Sequence, residues 1–273
     1  MSRLLKIEWL KLRHFKAFWI LLISYVVVTI LIGSCGTWIL RFLKNEGAEF
    51  NGISPEILPL YDFPDVWQNI AYILGYFKVI LAFILVINIC NEFNHRIIRQ
   101  NVIDGLSKKE WLGSKLLTMA SFSVGATILL FLVGLVNGLI FSHPHGYDYI
   151  FSEMDILGAY GLEIFCYLVF ATLITLIIRK PGIVIIGLFL YTLMFEPFIT
   201  FFIYDFPRLP DWLRPFADFF PVRSLMNLIH PPYTKYAFFE IQDYVSLREL
   251  SIVLGWLIVN LSLCWWILKR KDL

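Results

Sequence analysis

The sequence predicts an all-α, polytopic membrane protein with six transmembrane helices. Hydrophobic residues make up 59% of the 273 residues and charged residues only 16%. A soluble domain would carry about a quarter charged residues. Long apolar runs, each sufficient for a membrane-spanning helix, recur along the chain. No low-complexity linker divides these runs, so we expect one transmembrane domain over residues 1–273.

The distribution of charge predicts where the connections between spans lie. Segments assigned to the inside hold 15 Lys and Arg residues and five Asp and Glu residues. Segments assigned to the outside hold seven Lys and Arg residues and fourteen Asp and Glu residues. Cytoplasmic connections are enriched in Lys and Arg. Both termini are therefore expected in the cytoplasm, with the spans in contact with membrane lipids. The net charge of +2 gives no indication of nucleic-acid binding.

The chain begins with a basic segment, 1–16, in which apolar residues interleave with charges. Its basic residues are Arg3, Lys6, Lys11, Arg13 and Lys16. The pattern is typical of a helix lying in the membrane interface, or of a basic flank that orients the next span. Span one follows at 18–40.

Span two is predicted as one helix that is capped at Asp65 and continues to Cys90. Lys78 lies inside it. An ionisable side chain within a span is costly, which makes Lys78 a candidate for the substrate path. The alternative is that Lys78 snorkels to the outer end of the helix. Span three is predicted at 116–141.

Span four is predicted at 156–178. Ser152 and Asp155 have the spacing of a capping box ahead of it. The span contains Glu163, which either is hydrated near the outer end or faces a cavity as a second substrate-path candidate.

Span five begins at Ile183 and contains Glu196, the third candidate for the substrate path. Pro197 is expected to break or kink this helix. The connection 205–248 is rich in proline and aromatic residues, which predicts short helices lying on or dipping into the outer membrane surface. Span six is predicted at 250–268.

The stretch 92–115, between spans two and three, has the most distinctive pattern. Four apolar residues are spaced to form one stripe of a short helix: Ile97, Ile98, Val102 and Ile103. Gly105 is a typical residue for ending that helix. Ser107 and Glu110 then have the spacing of a capping box at the start of the next helix.

This stretch resembles the permease subunits of type 2 ABC exporters. The matching residues are Glu92, Phe93, Arg99, Gly105, Leu106, Ser107, Lys108, Trp111 and Lys115. That family often has a Gly-Thr pair before the arginine, where this chain has Arg96 and Ile97. The order of features extends the resemblance over nearly the whole chain, and it is close to the bacitracin and lantibiotic export or immunity branch.

The resemblance implies a role for each of three segments. Residues 1–16 would be an elbow helix, 92–115 the coupling-helix region that docks on a separate ATPase, and 205–248 re-entrant helices. Two permeases, identical or paralogous, would sit above two ATPase subunits in a bacterial cytoplasmic (inner) membrane. The ATPases would bind ATP and Mg²⁺, and the permease would hold no cofactor. The cargo would be amphipathic, peptide-like or lipid-like.

The sequence lacks the motifs of an enzyme, including a phosphate-binding P-loop, so we expect no catalytic residues. No metal site is expected either, because His143 and His145 flank a proline without a third nearby ligand. Two alternatives remain open. One is an ion-coupled secondary transporter that uses Lys78, Glu163 and Glu196. The other is a membrane scaffold subunit that transports nothing.

Overall fold

The computed structural model describes residues 2–47, 61–95, 97–103, 105–142, 149–205, 210–232 and 244–270. All regular structure in these ranges is helical. Five helices are long and apolar enough to cross a membrane, and a bent pair supplies a sixth span. The predicted all-α, polytopic architecture is therefore confirmed.

The chain begins with a short helix, α1 (Ser2–Arg13), which leads into span one, α2 (Lys16–Asn45). The rings of Trp9, Phe18 and Trp19 pack edge to face at centroid distances of 5.2 to 6.2 Å, and they fix the corner between the two helices.

Span two is not one continuous helix, so that prediction is wrong. It consists of α3 (Val66–Gly75) and α4 (Lys78–Asn94), which meet at a bend of 43°. The N–H of Phe77 donates to the carbonyl of Leu74 at 2.9 Å, which tightens the chain at the break. Gly75 ends α3 where a side chain would crowd Glu163, since a Cβ there would lie 3.0 Å from Oε1 of that residue.

The next helices are α5 (Ile97–Ile103), α6 (Lys108–Phe141) and α7 (Asp155–Ile178). More than half of α7 is buried, and it packs against α4, α6 and the last span, so it lies at the centre of the bundle.

The capping box predicted ahead of span four does not form. α7 begins at Asp155 without a side-chain cap, and Asp65 likewise makes no side-chain cap at α3. Glu153 has a φ of 57°, so the backbone turns sharply between Ser152 and the helix. His143 and His145 lie outside the described residues.

Span five comprises α8 (Pro181–Leu190), a π-helical turn (Tyr191–Phe195) and α9 (Glu196–Asp205). Pro197 does not break the helix. The wider π turn comes directly before it and absorbs the disruption that a proline causes in the hydrogen bonds of an α-helix.

Between spans five and six, the described residues form a 3₁₀ helix (Asp211–Phe219) and α10 (Pro221–Met226). These are the short helices predicted for this region. Span six is α11 (Leu247–Arg270). Residues 206–209 and 233–243 of the predicted re-entrant region lie outside the described residues.

Candidate functional site

The chain between spans two and three folds into the predicted short helix and glycine turn. α5 ends at Ile103, and Gly105 has a φ of 93°, a conformation that favours glycine. The N–H of Leu106 donates to the carbonyl of Asn101 at 2.9 Å, the long-range bond of a Schellman ending. Asp104 lies outside the described residues. The turn thus brings the chain from α5 directly to the start of α6.

The capping box predicted at the start of α6 is present. The N–H of Glu110 donates to Oγ of Ser107 at 3.2 Å, and the N–H of Ser107 donates to Oε2 of Glu110 at 2.8 Å. These reciprocal bonds satisfy backbone donors that the first turn of a helix leaves free.

The predicted apolar stripe of α5 is divided between the core and the surface. Ile98 is buried and Ile97 half-buried, whereas Ile103 is 78% exposed. Ile98 and Ile103 are five residues apart, so they point about 140° away from each other. The side chain of Val102 lies outside the described residues. Only one side of the predicted stripe therefore faces the protein.

The buried side of α5 rests on a small apolar cluster at one end of the bundle. Its fully buried members are Ile89, Ile98, Trp111, Leu173, Leu176, Cys264, Ile267 and Leu268. Phe93 and Leu106 pack against it. The cluster draws on α4, α6, α7 and α11, so α5 is attached to four spans at once. We call this end of the bundle the basal end.

The outward side of α5 and its turn forms a surface that we call the docking surface. Its exposed members are Arg99, Gln100, Ile103, Gly105, Ser107, Lys109 and Glu110. Of the residues that the sequence singled out for coupling, Arg99, Gly105 and Ser107 lie on this surface. Leu106 and Lys108 are half-buried beside it.

The other predicted coupling residues meet beneath the docking surface. Lys115 is fully buried, and its Nζ donates to Oε1 of Glu92 at 2.7 Å. Nε1 of Trp111 donates to Oε2 of the same carboxylate at 2.7 Å. Glu92 thus joins the end of α4 to the beginning of α6.

Two residues of α1 complete this cluster, and the sequence analysis missed both. Nζ of Lys115 also donates to Oε2 of Glu8 at 2.6 Å. Nζ of Lys11 lies 2.9 Å from Oε1 of Glu92 and 3.1 Å from Oε1 of Glu8. We call Glu8, Lys11, Glu92 and Lys115 the base cluster. Its two carboxylates and two ammonium groups balance in charge, as buried charges require.

The charges of the base cluster strengthen one another. Burial acts to lower the pKa of Lys11, but the carboxylates of Glu92 and Glu8 outweigh it and raise that pKa above its ordinary value.

One signal in the sequence could have identified this part of the site. Glu8 is the only acidic residue in 1–16, and a lone acid in a basic helix often has a specific partner.

Phe93 connects the base cluster to the turn between spans four and five. Its ring lies edge-on to Trp111, with centroids 6.2 Å apart. The guanidinium carbon of Arg179 lies 4.3 Å from the centroid of the Phe93 ring, a cation–π geometry. All nine predicted coupling residues therefore lie at the basal end, on the docking surface, beside it or beneath it.

A comparison with protein families identifies the group to which the chain belongs. The profile described as ABC-2 family transporter protein matches residues 60–268, more than three quarters of the chain. The chain belongs to the ABC-2 transporter family. It is therefore a type 2 ABC transporter permease, a membrane transport subunit. No curated protein matches the chain.

The family match covers only part of the base cluster of this permease. Glu92 and Lys115 fall within the matched residues, whereas Glu8 and Lys11 precede them. The contribution of α1 is thus a feature of this chain that the family match does not include.

A cavity of about 490 Å³ separates α1 from α5 at the basal end of the permease. Arg3, Ile7 and Lys11 line it on one side, and Asn101 and Leu106 on the other. The cavity adjoins the docking surface, because Gly105 and Glu110 belong to both.

Two of the three substrate-path candidates meet inside the spans. Lys78, the first residue of α4, is fully buried, and its Nζ lies 2.5 Å from Oε1 of Glu163. The same ammonium lies 5.3 Å from the centroid of the Tyr167 ring. We call Lys78 and Glu163 the core pair. Lys78 is thus held inside the protein by a partner instead of snorkelling outwards.

Glu196 has a different setting, at the boundary between the π turn and α9. One oxygen of its carboxylate accepts the backbone N–H of Arg223 at 2.5 Å, at the start of α10. A carboxylate is favourable at a helix N-terminus because the free N–H groups there carry partial positive charge. Glu196 therefore attaches span five to α10. That these three residues line a substrate path stays a prediction.

Proposed function

We propose that this permease is driven by a separate ATPase subunit that binds the docking surface, and that it exports an amphipathic, peptide-like or lipid-like cargo. The observation that carries the proposal is the exposed side chain of Ile103, on a surface that also exposes Arg99, Lys109 and Glu110 at the end of the bundle that holds the base cluster. An apolar centre with a charged rim is typical of a protein-binding surface. The bacitracin and lantibiotic branch is the branch we propose for it.

The base cluster suggests how movement of an ATPase would reach the spans. Glu92 belongs to α4, Lys115 to α6, and Glu8 and Lys11 to α1. Because all four are linked by hydrogen bonds and ion pairs, a force on α5 would displace these three helices together. Rigid-body displacement of packed elements is a common form of switching. ATP and Mg²⁺ would remain on the ATPase.

An apolar face on span five supports an assembly with a second permease, identical or paralogous. Its exposed residues include Ile183, Ile186, Phe189, Phe198 and Phe201. Two ATPase copies would then lie beneath the two permeases. The excess of Lys and Arg at the basal end favours a cytoplasmic location for that end and for both termini, in a bacterial inner membrane.

The experiment that tests the proposal replaces Ile103 by Asp in the tagged chain. We expect the Ile103→Asp variant to insert normally, because the side chain is 78% exposed. Binding of the ATPase should fall by more than about tenfold, as expected when a central contact is lost. The measurement is the amount of ATPase that co-purifies from the native host, quantified by mass spectrometry.

Phe151→Asp is the matched control. Phe151 is 75% exposed and lies between α6 and α7, at the end of the bundle opposite to the docking surface. It should leave ATPase binding unchanged. The proposal fails if no ATPase accompanies the wild-type chain, or if Ile103→Asp retains the ATPase as fully as Phe151→Asp does. Transport that follows an ion gradient without an ATPase would favour a secondary transporter.

A further inference from the structure

A second cavity lies on the side of α1 that faces away from α5. It is a groove of about 480 Å³ between span one and span three, with α4 as its floor and α1 across its basal end. Most of its walls are apolar side chains, among them Leu22, Val26, Leu81, Phe122, Leu129 and Leu132. Ile128 and Leu132 also line the groove and are each about half exposed, at 53% and 50%. The groove therefore opens sideways onto the surface that contacts the hydrocarbon of the membrane.

The dimensions of the groove suit a single acyl chain. Along α6 its lining extends from Thr118 to Leu132. At the rise of an α-helix, these residues span roughly 21 Å. The hydrocarbon core of a bilayer is about 30 Å thick, so the groove runs deeper than one leaflet. Gly125 lines the groove beside open space, because a Cβ at that position would meet no atom within 4 Å.

The basal end of the groove combines an interfacial aromatic residue with basic side chains. Leu5, Trp9 and Leu12 of α1 line the groove, and Trp9 is 50% exposed. Tryptophan is enriched where the hydrocarbon meets the headgroups. Lys6 and Arg13 are exposed, and they lie three residues before and four residues after Trp9, on the same side of the helix. A positive charge therefore stands on either side of Trp9 along α1, next in sequence to Leu5 and Leu12, which line the groove.

We propose that this groove binds one anionic glycerophospholipid from the leaflet that borders α1. One acyl chain occupies the groove between α2 and α6, and the phosphate lies between Lys6 and Arg13. Charge complementarity selects this occupant, because exposed basic residues beside a membrane attract anionic lipids. The proposal does not depend on the ATPase. Glu8 lines both this groove and the cavity beside α5, so the lipid lies next to the base cluster.

The test is native mass spectrometry of the full chain, released from nanodiscs that contain equal amounts of phosphatidylglycerol and phosphatidylcholine with the same acyl chains. We expect the wild-type chain to retain one phosphatidylglycerol in preference to phosphatidylcholine. Gly125→Leu fills the groove and should reduce that retention at least about tenfold. Gly255→Leu is the matched control on α11, where a Cβ likewise meets no atom within 4 Å. It should retain the lipid as the wild type does.

A second variant separates the headgroup from the acyl chain. Lys6→Gln with Arg13→Gln changes only exposed side chains, so folding is preserved. It should reduce the preference for phosphatidylglycerol by roughly tenfold to thirtyfold. Equal retention of the two lipids by the wild type would overturn the proposal. The proposal would also be overturned if Gly125→Leu retained the lipid undiminished, or if Gly255→Leu lost as much lipid as Gly125→Leu does. It would be overturned as well if the chain purified from its host carried an amphipathic cargo instead of a phospholipid.

Discussion

Two buried ionic groups among the described residues of the permease differ in the number of helices that they join. The core pair consists of Lys78 and Glu163, which belong to α4 and α7. Both side chains are at least 97% buried, and they form a direct ion pair with each other. The base cluster has four members on three helices, and Lys11 is 26% exposed. The core pair is enclosed, whereas the base cluster reaches the surface.

This difference separates a structural role from a coupling role. The loss of one member of an enclosed pair leaves a charge without a partner, and that is among the most destabilising changes in a protein interior. In the base cluster each charge has two partners of opposite sign, so the loss of one member leaves the others partly compensated. The base cluster can therefore tolerate rearrangement, as an element that transmits movement must.

The largest effect is expected for the core pair. Lys78→Met should lower the free energy of unfolding by about 3–5 kcal/mol, because Glu163 is left charged and unpaired. The double variant Lys78→Met with Glu163→Leu should recover most of that loss, since well-packed apolar residues can replace a buried ion pair. Both are measured by thermal unfolding of the purified chain in detergent. A double variant as unstable as the single one would show that the two residues do not act as a pair.

A smaller effect on stability is expected for the base cluster, with a larger effect on function. Glu8→Gln keeps an acceptor for Lys115 but removes the charge, so it should cost about 1–3 kcal/mol. The amount of cargo transported per ATP hydrolysed should nevertheless fall, because α1 is no longer held to Lys115 by charge and keeps only the ion pair between Lys11 and Glu92. The measurement compares the two rates in vesicles that contain the permease and its ATPase. An unchanged ratio would restrict Glu8 to a structural role.

The sequence predicts most spans, and the short helix and turn between spans two and three, because these features rest on local patterns. Apolar runs locate the helices, and Gly105 with Ser107 and Glu110 locates the turn between α5 and α6. The base cluster could not be predicted in full, because Glu8 lies 84 residues before Glu92 and no periodicity relates them. At the break of span two, Gly75 lies against Glu163, a residue that is equally remote in sequence.

The two capping-box patterns show where even a local pattern is insufficient. Ser107 with Glu110 and Ser152 with Asp155 have the same spacing, yet only the first forms a cap. At the second, Glu153 adopts a φ of 57°, and the helix begins only at Asp155. The backbone conformation just before the helix therefore decides whether a capping-box pattern forms a cap.

This contrast gives the prediction with the smallest effect. Ser107→Ala should cost about 1 kcal/mol, because an N–H at the start of α6 loses its acceptor. The base cluster should remain intact, since Lys115 lies two turns further along the helix and is held by its own ion pairs. Hydrogen exchange should therefore accelerate at residues 108–110 but not at 115. Ser152→Ala is the matched control and should change neither stability nor exchange, because no cap forms there. Faster exchange at 115 in Ser107→Ala would mean that the cap and the base cluster form one cooperative unit, and the docking surface could then transmit movement through the turn as well as through the buried charges.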